Sequence, residues 1–340
     1  MDIRKAIKEW ILPIAMASGA SLYLIYHMLP EPVHKAGPFL ESSIGVVQPL
    51  LIFGMLFLTF CRIEPKDLKP HRWHWWLLLI QGGLFAGLGG VALLILHYLP
   101  WAHDHVVLIE SAMLCFMCPT ATAAAVVTRK LGGDIPGITT YIILINLLTA
   151  VLVPLVVPLI QPMAGLGFWE AFSLILAKVL PLLMLPCLCA WLVRYLLPSL
   201  HKRLLEKEDL AFHLWVVALT LAIAVTTKSI VRSHMPWTTI LSISAVSLFC
   251  CAFQFAAGRY VGSRYRPHRP HRPLSAEAEA RAREIRKVTA GQSLGQKNTV
   301  FAIWMGYTFL TPETAIVGGL YSIWHNLYNS WQLRRAGRKA

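Results

Sequence analysis

The stretch VTAGQSLGQKNTVFAIWMGYTFL, residues 288–310, is apolar towards both ends and interrupted in the middle by Gly291, Gly295 and the polar run Gln296-Lys297-Asn298. Its length suits a helix crossing a ~30 Å hydrocarbon core, which takes ~20 residues. A lysine at that depth costs ~3 kcal/mol on insertion scales and usually marks a functional site. Lys297 lies too far from either end to carry its ammonium comfortably to the interface. A second apolar run, residues 106–128, is interrupted by Cys118-Pro119-Thr120-Ala121-Thr122. A proline inside a helix removes one backbone donor and clashes with the preceding turn, so the helix should kink or break at Pro119. Thr120 and Thr122 can satisfy freed backbone groups or cap the second half. Irregular backbone at membrane depth persists only where protein or a water-filled cavity covers it.

Working outward, the chain has 340 residues, 56% of them hydrophobic and only 14% charged, with a mean hydropathy of +0.57. Soluble domains carry about a quarter charged residues. Ten apolar runs emerge, at about 10–29, 40–62, 74–98, 106–128, 137–160, 168–197, 209–228, 237–258, 288–310 and 313–331. Turn chemistry separates several of them: Leu29-Pro30-Glu31-Pro32, Glu64-Pro65-Lys66, Gly132-Gly133-Asp134 and Leu310-Thr311-Pro312. The first run is too long for the apolar part of a signal peptide and lacks a small-residue cleavage site, so it reads as a span. The expected fold is all-α, a polytopic membrane protein with ten transmembrane helices. Of the 31 Lys and Arg, Lys178 and Lys297 lie within runs and Lys35, Lys228 and Arg232 fall in alternate connections. The remainder cluster in the other connections and the termini, which places both termini in the cytoplasm by the positive-inside rule. That distribution explains most of the +14 net charge without nucleic acid, although anionic lipids are expected partners of the basic inner loops.

The interruptions fall in the fourth and ninth of ten runs. Residues 1–160 would then form a first five-helix repeat, and 161–258 with 288–331 a second of inverted topology. Residues 259–287 would be a basic cytoplasmic loop and 332–340 a cytoplasmic tail. Prolines 267, 270 and 273 keep the start of the loop out of helix, while Ser275 to Lys287 reads as a short helix with acids early and bases late. Paired broken helices at corresponding places point to a substrate site near the midplane. Candidate residues are Lys297, Asn298, Gln296, Thr120, Thr122, Gln81 and Asn146, with Pro119, Gly291 and Gly295 as the helix breaks. Lys178 reads as the partner of Glu170 or Glu110 in a salt bridge, and His325 as a hydrogen-bonded packing residue. The seven cysteines lie in apolar runs and read as buried reduced thiols. No metal site is expected: His103-Asp104-His105 reads as a solvated turn, and His268 and His271 as part of a basic face.

At these residues the sequence resembles the bile acid:sodium symporter family. Phe53-Gly-Met-Leu-Phe-Leu-Thr59, the stretch Pro65 to Leu68 and then Gln81 are similar to the family's entry into helix 3. Cys118-Pro119 through Val126-Val127-Thr128, followed by Gly133-Asp134, resembles its helix 4 motif. Thr289 to Asn298 resembles the helix 9 motif, and Leu320-Tyr-Ser-Ile-Trp-His-Asn326 that of helix 10. The order and spacing of the four motifs identify the chain as a divergent bacterial member, in an inner membrane. The resemblance implies a panel and a core, discontinuous helices 4 and 9 that cross at their breaks, and alternating access for an organic anion. Such anions include bile salts, sulfated steroids and small carboxylates.

The departures are as informative. Where the resemblance implies sodium ligands, the chain has Ala124, Ala125, Ile138, Ile142 and Ser293 at the first site. At the second site Gln81 is retained, with Ser293 and Lys297 at the other positions. Sodium, a hard cation, needs oxygen ligands, and a fixed ammonium ~4 Å away at an effective dielectric of ~20 would repel it by ~4 kcal/mol. The expectation is therefore a carrier without the usual sodium sites, with Lys297 as a tethered cation, Asn298, Thr122 and Ser293 close by, and no cofactor. A proton carried on the Lys297 amine is the other candidate coupling ion. An integral membrane enzyme, a passive channel and a receptor on a transporter scaffold are the alternatives. The first would need a catalytic cluster that the few dispersed acids (Glu41, Glu110, Glu313) do not supply.

Overall fold

A computed structural model describes residues 3–207, 210–233, 235–265 and 275–337. Among these the regular structure is helical: α1 (Ile3–Met28), the short α2 (Glu31–His34), α3 (Gly37–Cys61), α4 (Arg72–Tyr98), α5 (Val106–Met117), α6 (Ala123–Lys130) and α7 (Ile135–Ile160). There follow α8 (Phe168–Leu196), α9 (Pro198–Glu206), α10 (Leu210–Arg232), α11 (Trp237–Arg264), α12 (Ala276–Gly295), α13 (Thr299–Phe309) and α14 (Pro312–Gly337). Six of them, α3, α4, α7, α8, α10 and α11, are long and apolar enough to cross a membrane, and the protein is a multi-pass membrane protein. The runs at 106–128 and 288–310 are divided, because the chain leaves helical geometry after Met117 and after Gly295.

Proline sets many of the starts. It occupies the first turn of α3, α7, α9 and α14, where its missing N–H would have been unpaired anyway. Proline also lies inside uninterrupted helices, at Pro49, Pro154, Pro158, Pro181 and Pro186. Neighbouring helices tolerate such positions in membranes. Ser275 caps α12 by accepting a bond from the Ala278 N–H at 3.2 Å.

Two expectations need correction here. The short helix over 275–287 and the run from 288 are one continuous helix, α12, with its acids Glu277 and Glu279 in the first turn. Likewise α11 continues to Arg264, so the basic loop expected over 259–287 is helical at both ends. The proline-rich middle, with His268 and His271, lies outside the described residues, as do Arg338 and Lys339 in the expected tail.

The α11–α12 contact brings the ninth run into place. Gly258 and Gly262, four apart on one face of α11, lie against the backbone of α12. A Cβ at Gly258 would overlap the Ala290 carbonyl, and one at Gly262 the Arg286 carbonyl. Small residues four apart let helices approach this closely where lipid offers no hydrophobic drive for association. At Gly291, expected as a helix break, the helix is intact. The reason for glycine there is packing, since a Cβ would meet the Arg259 side chain at 2.7 Å. The two divided runs lie among α4, α7, α11 and α14, and the α3 and α10 side chains Met55 and Trp215 close the remaining side.

Candidate functional site

The two interruptions lie side by side and satisfy each other. Thr120 and Lys297 pair as an isolated antiparallel bridge. The Ala121 N–H donates to the Gln296 carbonyl at 3.0 Å, and the Asn298 N–H to the Pro119 carbonyl at 2.8 Å. The Thr120 hydroxyl donates to the Ser293 carbonyl, and the Cys118 thiol to the Asn298 carbonyl. Asn298 then caps α13, its Oδ1 accepting from the Phe301 N–H at 3.2 Å. Gly295 ends α12 where Phe255 packs on it; a Cβ there would overlap the Phe255 ring.

A helix ends with four carbonyls lacking intrahelical partners, and at the end of α5 each finds a donor from a different part of the fold. Gln254 of α11 donates to Cys115 O at 3.3 Å, Thr149 of α7 to Met117 O at 3.1 Å, and Gln81 of α4 to Cys118 O at 3.1 Å. The fourth donor is Lys297, whose Nζ lies 3.5 Å from Phe116 O. Gln81 accepts in turn from the Tyr141 hydroxyl at 3.0 Å, while Gln254 donates to the Tyr321 hydroxyl, which donates to the Gly295 carbonyl at 2.8 Å. The four carbonyls before Pro119 are thus each met by a donor from elsewhere in the core. Proline opens the helix, and three helices together with the second break close the hydrogen-bond account.

Lys297 is 1% exposed. Among the described residues no carboxylate lies within salt-bridge reach of it. An ammonium has three donors, and the long contact with Phe116 O engages one. The contact is electrostatically favourable, because the carboxyl end of a helix carries partial negative charge. On its other side Lys297 borders a cavity of about 10 Å³, room for roughly one water. Thr122 and Asn298, which start α6 and α13, line that cavity with Gln296, Met55 and Trp215. The amino ends of two half-helices therefore face the same small space as the buried ammonium, and all three favour negative charge.

Of the sequence candidates, Lys297, Asn298, Gln296 and Thr122 line the cavity, while Thr120, Ser293 and Pro119 belong to the paired breaks behind it. Gln81 instead braces the α5 terminus. Asn146 is buried on α7 with neither amide atom hydrogen-bonded among the described residues. The Ser293 hydroxyl and the Gln296 side-chain carbonyl are also buried without partners. His325, expected as a bonded packing residue, lines the cavity with Nδ1 unpartnered. Met55, Trp215, Gln254 and Tyr321 were not singled out by sequence. Met55 and Tyr321 fall inside quoted motifs, and Gln254, an amide inside an apolar run, carried a signal of its own. The expected Lys178 salt bridge is absent: its ammonium sits 5.7 Å above the Phe309 ring. Glu170 binds the Gly167 N–H, and Glu110 accepts from Gln161 and Thr314. All seven cysteines are free, and Cys189 alone of them is not fully buried. His103 bonds the Leu96 carbonyl at 3.1 Å, and no group of three or more metal-ligating side chains occurs among the described residues.

Among known protein families, the model of the SBF-like CPA transporter family matches residues 16–333. No curated protein matches the chain.

Proposed function

The chain belongs to the SBF-like CPA transporter family, and from that premise we infer that it is a secondary carrier of a small organic anion working by alternating access. The carrying observation is the Lys297 ammonium, buried between two helix breaks with no acid of its own and facing the amino ends of α6 and α13. In carriers with broken helices, half-helix amino ends bind anionic groups, and half-helix carboxyl ends hold the coupling cation. Lys297 stands at the second kind of place, beside Phe116 O, and it also faces the first. It acts as a cation built into the chain: it replaces the coupling sodium and offers its free donors to the acid group of the substrate. The apolar residues Ala124, Ile138 and Ile142, all buried, support loss of the other cation site. Either the fixed charge suffices or the amine carries a coupled proton.

This function goes with ten spans in two inverted five-helix repeats (1–160, and 161–258 with 288–331). Both termini are cytoplasmic in a bacterial inner membrane, with anionic lipid against the basic inner segments. The substrate is bile-salt-like, steroid-like or a smaller carboxylate. The enzyme alternative gains nothing from the site, which holds no base paired with a nucleophile. A passive channel would show no counterflow.

The competing role for Lys297 is that of a brace for the α5 terminus, favoured by its bond to Phe116 O. Uptake into proteoliposomes, measured in sodium and in choline, tests the proposal. Equal uptake in both supports the tethered cation; strict dependence on sodium overturns it.

A further inference from the structure

A second polar cavity, of about 210 Å³, lies where the start of α3, the end of α10 and the α13–α14 junction meet, the outer end in the proposed topology. It is separated from the crossing by roughly 20 Å along α10, counting from Trp215 to Lys228 at ~1.5 Å per residue. Glu41 of α3 lies between Lys228 and Arg232 of α10. Lys228 Nζ is 2.7 Å and Arg232 Nη1 3.3 Å from the same atom, Glu41 Oε1. Lys228 also donates to the Tyr307 hydroxyl of α13 at 2.9 Å and lies 5.2 Å from its ring centroid.

Three observations mark this as a carboxylate receptor occupied by the protein's own side chain. Both cations converge on one oxygen of Glu41, which leaves one donor of the ammonium and most donors of the guanidinium unused. Ser229 lines the cavity, is 4% exposed, and its hydroxyl has no partner among the described residues. The Glu41 side chain is 44% exposed and free to swing into water, whereas Lys228 is held at 15%.

We propose that this cavity binds the carboxylate of a monoanionic ligand, which takes the place of Glu41 between Lys228 and Arg232 and accepts a hydrogen bond from the idle hydroxyl of Ser229. Glu313 on the same wall sets the charge selectivity, because a second carboxylate on the ligand would face it without compensation. The inference rests on the carrier function above, since an outer site for the transported class of anion has a use only there. Its chemistry can nevertheless be tested without transport.

The test uses the purified full-length protein with Ser233→Cys as reporter, a residue that lines the cavity in a chain whose native cysteines are buried or half-buried. The measured quantity is the rate at which a maleimide labels the introduced thiol in the presence of butyrate, its uncharged analogue butyramide, or succinate. Butyrate should slow labelling saturably, butyramide should not, and succinate should need about tenfold more, a discrimination that Glu313→Gln removes. Arg232→Gln, at a site 52% exposed and so of little consequence for folding, should raise the half-protecting butyrate concentration about tenfold, the usual worth of a charge-assisted bond. Lys297→Gln should leave protection intact. Protection by butyramide as strong as by butyrate, or none by either, overturns the proposal, as does loss of protection in Lys297→Gln. Protection of the reporter thiol in a protein that fails to transport would leave this site standing and remove the carrier function instead.

Discussion

Lys297 and Lys228 differ in what surrounds an ammonium, and the difference bears on what each charge is available to do. Lys228 is 15% exposed, with a carboxylate at 2.7 Å and a phenol at 2.9 Å, so its charge is answered by the protein's own side chains. Lys297 is 1% exposed and meets one long carbonyl contact. A buried charge without a partner is costly, and under the proposed function a ligand that arrives with the opposite sign would answer it.

The largest effect should follow from giving Lys297 an apolar side chain of similar length. Lys297→Met should weaken anion binding about tenfold to a hundredfold, the loss of a charge-assisted bond of ~1.5–3 kcal/mol. Thermal stability should hold or rise, because replacing a buried charge with a well-packed apolar group is often neutral or stabilising. A thermal-shift titration reads both; a large drop in stability with unchanged affinity would assign the residue to the brace role. Glu110 is the converse case, a buried carboxylate answered by neutral donors, Gln161 at 2.6 Å and Thr314 at 2.8 Å. Glu110→Ala should destabilise by roughly 3 kcal/mol, since each orphaned buried donor costs ~1–3 kcal/mol. Anion affinity should not change, which comparison of the melting midpoint with the titration checks. Asn298→Ala should cost ~1 kcal/mol through loss of the α13 cap, and Asn298→Asp should recover it. The smallest effect belongs to the exposed pair: Glu41→Gln should change stability by ~0.2–1 kcal/mol, and less at high salt. A denaturation series at low and high potassium chloride reads that difference.

Much of the architecture was visible in the chain because a bilayer imposes length and polarity on each segment. Several helix limits follow the apolar runs, although α11 and α12 extend beyond theirs, and the interruption at Pro119 lies where proline entered one of them. Yet Pro49, Pro154, Pro158, Pro181 and Pro186 are each accommodated inside an intact helix, so proline alone does not break one. What distinguishes Pro119 is the set of donors at the preceding carbonyls, from Gln254, Thr149, Gln81 and Lys297, and these meet only in three dimensions. Gly291 misled for a related reason: a glycine that unwinds a helix and one that lets another helix approach look alike in sequence. Lys297 stood out because charge inside an apolar run is rare. Met55 and Trp215 did not, because nothing distinguishes a cavity-lining apolar side chain from one that faces lipid.

The most direct measurement is a structure of the protein with a transported organic anion, determined in sodium-free buffer. The acid group of that anion should lie about 3 Å from Lys297 Nζ, within hydrogen-bond reach, between the amino ends of α6 and α13. An anion seated elsewhere, with the ammonium still engaged by the Phe116 carbonyl alone, would contradict the tethered cation.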